Sequence, residues 1–164
     1  MTPAKILMTN LVYGKRYSEV FLEQNLKSLL DPKNLPAHKD QIEYLIFTDE
    51  ETLPILKSHV NYFKLQCAVP THVRVFHWPN SGIDRFEARY QLLIDTFKQS
   101  VSFGLSQNMY VSALVADLVF ADNYVDKLFE KLNQGYESIF AIPVRSANEV
   151  LVKELNKYEG ALAA

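Results

Sequence analysis

The sequence predicts an α/β domain: a mostly parallel, open sheet with helices on both faces. Three observations carry this expectation. Short β-branched and apolar runs recur along the chain. Segments with three- and four-residue apolar spacing separate them. The composition, 48% hydrophobic and 12% aromatic over 164 residues, supplies a core, is too apolar for a disordered chain, and fits one domain, residues 1–164.

The first run, Lys5 to Val12, reads KILMTNLV and stops at Tyr13-Gly14, a buried strand ending in a loop. From Tyr17 the period changes. Val20, Phe21, Gln24, Leu26, Leu29 and Leu30 predict a helix with Ser18 as its cap and Asp31-Pro32 as its stop. Residues 31–40 read as a polar loop. Ile42 to Thr48 (IEYLIFT) is the second strand, and Thr48 or Asp49 then caps a helix whose apolar face is Leu53, Ile55, Leu56, Val60 and Phe63. Pro54 falls in its first turn, where a missing N–H costs little.

His72 to Trp78 (HVRVFHW) alternates as a third strand, and 79–82 form a loop. Asp84 to Gly104 is the longest helical pattern, with Gly104 expected as a C-cap. Met109 to Val115 (MYVSALV) is nearly all apolar, as expected of a central strand covered on both faces. After Asp117 comes a short apolar element, Leu118-Val119-Phe120. A helix over Asn123 to Leu132 follows, and a last strand over Glu137 to Val144, set at an edge by Pro143.

Composition excludes several functions. Lys+Arg 17 against Asp+Glu 19 leaves a net charge of −2, without the basic excess of a nucleic-acid binder or a polybasic membrane tract. Five glycines leave no Walker loop or dinucleotide fingerprint. No run reaches the ~18–20 apolar residues of a membrane span, and no secretory leader is visible. The expected compartment is the cytoplasm. Cys67, the one cysteine, forms no internal disulfide and is expected to be a small buried hydrophobe. The four histidines show no metal-ligand spacing.

Open α/β sheets bind ligands beyond the carboxyl ends of their strands. That rule selects Thr9, Asn10, Tyr13 and Gly14 after the first strand, and Thr48 and Asp49 after the second. It selects Trp78, Asn80 and Ser81 after the third, Asp117 and Asp122 after the fourth, and Arg145 after the last. Arg85 and Arg89 open the long helix one turn apart and can share a face. They could clamp phosphates or pair with Asp84 and Glu87. Tyr13 could stack on a base or simply pack. Asp117 ends an apolar strand, where a carboxylate must be capped, paired or bound to a hard cation such as Mg²⁺ or Mn²⁺.

At these residues the chain resembles GT-A fold nucleotide-diphospho-sugar glycosyltransferases, with their Rossmann-like sheet. TNLVYGKRYSEVFLEQNLKSLLDPKNLP resembles the opening strand, loop and helix of the bacterial members. YLIFTDEE resembles their second strand. RYQLLIDTFKQSVSFGLSQNMYVSALVADLVFADNYVDKLFEKL resembles an arginine-bearing helix, the strand ending in Asp-X-Asp, and the helix beyond. The resemblance implies transfer of a sugar from a UDP- or GDP-sugar to an unidentified acceptor. Thr9, Asn10, Tyr13, Asp49, Arg85, Arg89 and Asp117 would line the donor site. A divalent cation, Mn²⁺ or Mg²⁺, would sit on Asp117, with Asp122 as a second ligand. Asp117 matches the second aspartate of the motif, while Val115 stands where the first would be. Asp122 could compensate, metal could be bound weakly, Arg85 or Arg89 could supply the positive charge without metal, or transfer could be lost, leaving a non-catalytic interaction module of the same fold. The chain is short for this family, as expected of a domain cut from a longer protein or of a reduced member.

Overall fold

The computed structural model describes residues 4–78 and 84–139. Four strands form one all-parallel sheet: β1 (Ile6–Leu11), β2 (Ile42–Thr48), β3 (Thr71–Val75) and β4 (Tyr110–Val115), in the order β3-β2-β1-β4. The chain thus winds outward from β1 in one direction and then crosses back to β4. β1 and β4 flank the point where the winding reverses, and that point is where open α/β sheets place ligands.

The register fixes which side chains share a face. Ile6, Met8 and Asn10 stand beside Ile42, Tyr44 and Ile46 and beside Tyr110, Ser112 and Leu114. Leu7, Thr9 and Leu11 point the other way, with Leu45, Phe47, Val111, Ala113 and Val115, because side chains alternate along a strand. The first face is covered by the helical run between β1 and β2, by α4 (Val60–Ala68) and by α6 (Tyr124–Asn133). Among the described residues the second is covered by α5 (Arg85–Ser106).

The first helical run starts earlier than its spacing suggests. Helix α1 (Lys15–Val20) opens at Gly14, whose φ of 72° suits glycine. Ser18 is therefore inside the helix, donating its hydroxyl to the Gly14 and Lys15 carbonyls. A π-helical stretch, Phe21–Asn25, joins α1 to α2 (Leu26–Leu29). It turns the buried Asn25 toward β4, where its carboxamide donates to the Val115 carbonyl at 3.0 Å. In the loop after α2, buried Asn34 donates to the Ser28 and Ala121 carbonyls and accepts from the Val125 N–H. This loop is thereby pinned beneath α6 instead of trailing in solvent.

Other expectations change for local reasons. The helix predicted after β2 is two: α3 (Leu53–Lys57), with Pro54 in its first turn, and α4, capped by His59. The break rotates Val60 and Phe63 outward, so the buried face becomes Leu56, Tyr62 and Leu65. Cys67 is exposed, being on the outer side of α4. Asp84 caps α5 by accepting from the Phe86 N–H. Gly104 lies within α5 and does not end it. A Cβ there would collide with the Val111 side chain and meet the Met109 carbonyl, so glycine permits close approach of helix and strand. The helix ends at Gln107, followed by Asn108 at φ 55°.

β4 was expected at the centre of the sheet. Among the described residues it is an edge, with Val115 exposed. Leu118–Phe120 is no strand; it runs along α2, and the Phe120 N–H donates to Ser28. Of the expected last strand, residues 137–139 are not strand, and the remainder lies outside the described residues. Among the described residues no helix is long and apolar enough to cross a membrane.

Candidate functional site

At the carboxyl ends of β1 and β2 lies a cleft of about 480 Å³, walled by Tyr13, Tyr17, Trp78, Asp49, Arg16 and Arg89 among others. Its aromatic wall is built edge to face: Tyr13 meets Trp78 at 5.0 Å between ring centroids and Phe76 at 6.1 Å. Such contacts hold rings in fixed orientation. Trp78 and Tyr17 nevertheless remain 39% and 49% exposed, so both keep surface for a ligand.

Asp49 organises the floor of this cleft. It is buried, and both carboxylate oxygens are used: one accepts from the Thr52 N–H at 2.8 Å, the other from the Trp78 indole at 3.3 Å. Thr52 in turn accepts from the Gly14 N–H at 2.8 Å. One aspartate therefore ties the β1 loop, the turn after β2 and the Trp78 ring together. The cations Lys15, Arg16 and Arg89 stand on the rim. Lys15 reaches Glu19 only at 4.0 Å across exposed surface, a pairing of little energetic weight. Among the described residues, Arg16 and Arg89 have no carboxylate within ion-pair distance, so the pairing of Arg89 with Asp84 or Glu87 is not made.

A smaller pocket of about 240 Å³ adjoins at the reversal point, lined by Leu11, Tyr13, Tyr17, Leu93, Val115 and Asp117. Tyr13 and Tyr17 belong to both cavities and divide them. Asp117 is exposed, in the turn after β4.

The site residues expected from sequence separate into two groups. Tyr13, Gly14, Asp49, Trp78, Arg89 and Asp117 meet at these cavities. Thr9 and Asn10 do not, because β1 extends to Leu11 and both lie within it. Thr9 hydrogen-bonds Ser100 of α5 at 3.1 Å, and Asn10 accepts from the Tyr44 hydroxyl in the opposite core. Thr48 is fully buried at the end of β2. Asn80, Ser81 and Arg145 lie outside the described residues, as does the side chain of Arg85. The sequence reading passed over Lys15, Arg16 and Tyr17. Their signal was available: two consecutive cations and an aromatic directly after the Tyr-Gly that ends β1.

Asp122 is not beside Asp117. Its carboxylate takes the Lys33 ammonium at 2.9 Å, and that contact raises the Lys33 pKa. Phe120 and Ala121 are held against Ser28 and Asn34, which carries the chain away from the crevice before Asp122 is reached. Each Asp49 oxygen accepts from an N–H donor, and the other carboxylates lining the two cavities are Glu51 and Asp117. Among the described residues no group of three His, Cys, Asp or Glu side chains could hold an ion. A divalent cation takes several oxygen ligands, and of the two residues expected to hold one, Asp117 lines these cavities and Asp122 does not.

Compared with known families, curated proteins and solved structures, the chain matches no family model, no curated protein and no solved structure.

Proposed function

We propose that the chain is a glycosyltransferase-like domain that binds a nucleoside-diphosphate sugar at the reversal point of its sheet. The observation that carries this reading is the pairing of an aromatic wall with two arginines that have no ion-pair partner among the described residues, in one cleft beyond the strand ends. Tyr17 and Trp78 offer ring faces to a base. Lys15, Arg16 and Arg89 offer charge to a diphosphate, with the arginines able to bind bidentately. Asp117, in the adjoining pocket, is placed to accept hydrogen bonds from sugar hydroxyls.

In transfer, the bond between the anomeric carbon and the diphosphate oxygen breaks, and the leaving group gains negative charge. Fixed cations stabilise such charge more in that state than in the ground state. On this reading the arginines do the work a metal ion would otherwise do, and no step is routed through a cation. The acceptor stays unidentified, and no residue is assigned as base.

A second reading is a non-catalytic module of the same fold. The half-exposed Val115, at the position of the family's first aspartate, favours it. A thermal-shift titration with UDP, GDP and CDP, each with and without Mn²⁺, separates the two. A nucleotide at a hundredfold excess over its dissociation constant stabilises the fold by about 2.7 kcal/mol. The expected result is a shift with one nucleotide, equal with and without Mn²⁺, and lost in Arg89→Ala. No shift with any nucleotide would leave the interaction module. A shift only with Mn²⁺, abolished by Asp117→Ala, would restore the metal.

A further inference from the structure

Helix α5 turns its large apolar side chains outward. Phe86, Tyr90, Phe97 and Leu105 are more than half exposed, Ile94 is 37% exposed, and Val101 is half-buried among them. Against the sheet α5 buries Ala88, Leu92, Thr96 and Ser100 and packs the partly buried Phe103, so most of its large apolar side chains stay outside. The outward residues follow one another at steps of four, four, three, four and four, which is one stripe of a helix. Leu93 flanks the stripe and shares a pocket with Val115, so the apolar surface continues toward the end of β4. Contiguous apolar surface of this extent marks an interaction site.

We propose that this stripe is the interface of a symmetric homodimer, with α5 antiparallel to α5 of a second copy. Two arguments select a second copy. The spacing is palindromic. A two-fold axis midway between residues 95 and 96 sets Phe86 opposite the partner's Leu105, Tyr90 opposite the partner's Val101 and Ile94 opposite the partner's Phe97. Every step then joins two large apolar side chains, which is the self-complementarity an isologous interface requires. The area also fits. With aromatic side chains of 150–250 Å² each, the stripe and Leu93 present on the order of 700 Å² per copy, against ~800 Å² per partner in stable interfaces.

This inference is independent of the nucleotide reading, and its test uses no nucleotide. Sedimentation velocity of the full chain, from low to high micromolar concentration, should show a dimer that dissociates on dilution. Ile94→Lys and Phe97→Lys, beside the axis, should each raise the dissociation constant by about a hundredfold or more, as for central interface residues. Phe86→Lys, at the end of the stripe, should act more weakly. All three positions are exposed, so far-UV circular dichroism should stay that of the parent. Register is read by cross-linking in a Cys67→Ser background. Tyr90→Cys chains mixed with Val101→Cys chains should give a disulfide dimer that neither forms alone. A chain that stays monomeric at high micromolar concentration would overturn the proposal, whether residues 140–164 or another protein cover the stripe. So would a dimer that survives all three lysine variants, or Tyr90→Cys chains that cross-link by themselves.

Discussion

Beneath α1, α2, α4 and α6 the sheet and its helices bury Met8, Phe21, Leu26, Tyr44 and Ile46 completely. Beneath α5 the buried apolar cluster shrinks to Leu7, Leu45, Phe47 and Met109. Both faces belong to the same four strands, so the contrast comes from the helices. The first face meets side chains from several helical segments and is closed. Among the described residues the second meets one helix, which buries Ala88, Leu92 and two hydroxyls and packs Phe103, while Phe86, Tyr90, Phe97 and Leu105 stay exposed. The larger buried apolar cluster is therefore on the first face, and the second leaves apolar side chains of α5 exposed.

The largest test of that contrast is a deletion in the closed core. Phe21→Ala removes a fully buried ring and should cost about 4 kcal/mol in urea unfolding. A loss below ~1 kcal/mol would mean that the two faces are not so unequal. On the other face the tightest spot is Gly104. Gly104→Ala forces α5 away from Val111 and Met109 and should cost about 2 kcal/mol, an overpacking penalty. An unchanged midpoint would show that α5 rests loosely on the sheet.

A pH series sharpens the comparison further. Burial pushes the Tyr44 phenol well above its usual range, with the nearby Tyr124 as a smaller cause, and burial also raises Tyr124 and Tyr62. All three tyrosines belong to the closed face or its margin. A raised folded-state pKa means that the folded chain keeps protons the unfolded chain releases. Stability is then complete below the unfolded tyrosine value of about 10 and falls as pH rises above it. Urea midpoints should hold at neutral pH and drop in that alkaline window, less steeply in Tyr44→Phe. An alkaline profile unchanged by Tyr44→Phe would remove the assignment.

The smallest effect concerns the hydroxyl pair under α5. Ser100 donates to the Thr96 carbonyl, leaving its oxygen to accept from Thr9. Ser100→Ala should cost about 1 kcal/mol. Combined with Thr9→Val it should cost less than the sum, because the second change removes the stranded donor. Strict additivity would show that the pair is not coupled.

Much of the architecture was legible in the sequence because strand and helix differ in apolar period. IEYLIFT and MYVSALV announced β2 and β4 within a residue of their ends, and Asp84 announced the start of α5. The candidate site was legible in part. Tyr13, Asp49, Trp78 and Asp117 come from counting outward from strand ends and Arg89 from the start of the long helix, whereas Thr9 and Asn10 lie inside β1, within the strand expected over Lys5 to Val12. Asp122 is drawn instead into an ion pair with Lys33. Nothing local says that Ser28 and Asn34 will hold the segment before it along α2.

By itself the sequence determined an alternating α/β chain with parallel strands, a crevice at their carboxyl ends and the absence of a cysteine-built centre. Those properties depend on period, composition and residue count, which are local. Only the tertiary structure decided that β4 lies outside β1, that Gly104 is a contact and not a cap, and that Asp122 pairs with Lys33. It also decided that the apolar stripe of α5 faces outward. A helix with apolar residues at helical spacing is expected to bury them. Which stripe meets the sheet depends on what the sheet can accept, and here the inward face carries the close approach of Gly104 to Val111 and the Ser100–Thr9 hydroxyl pair.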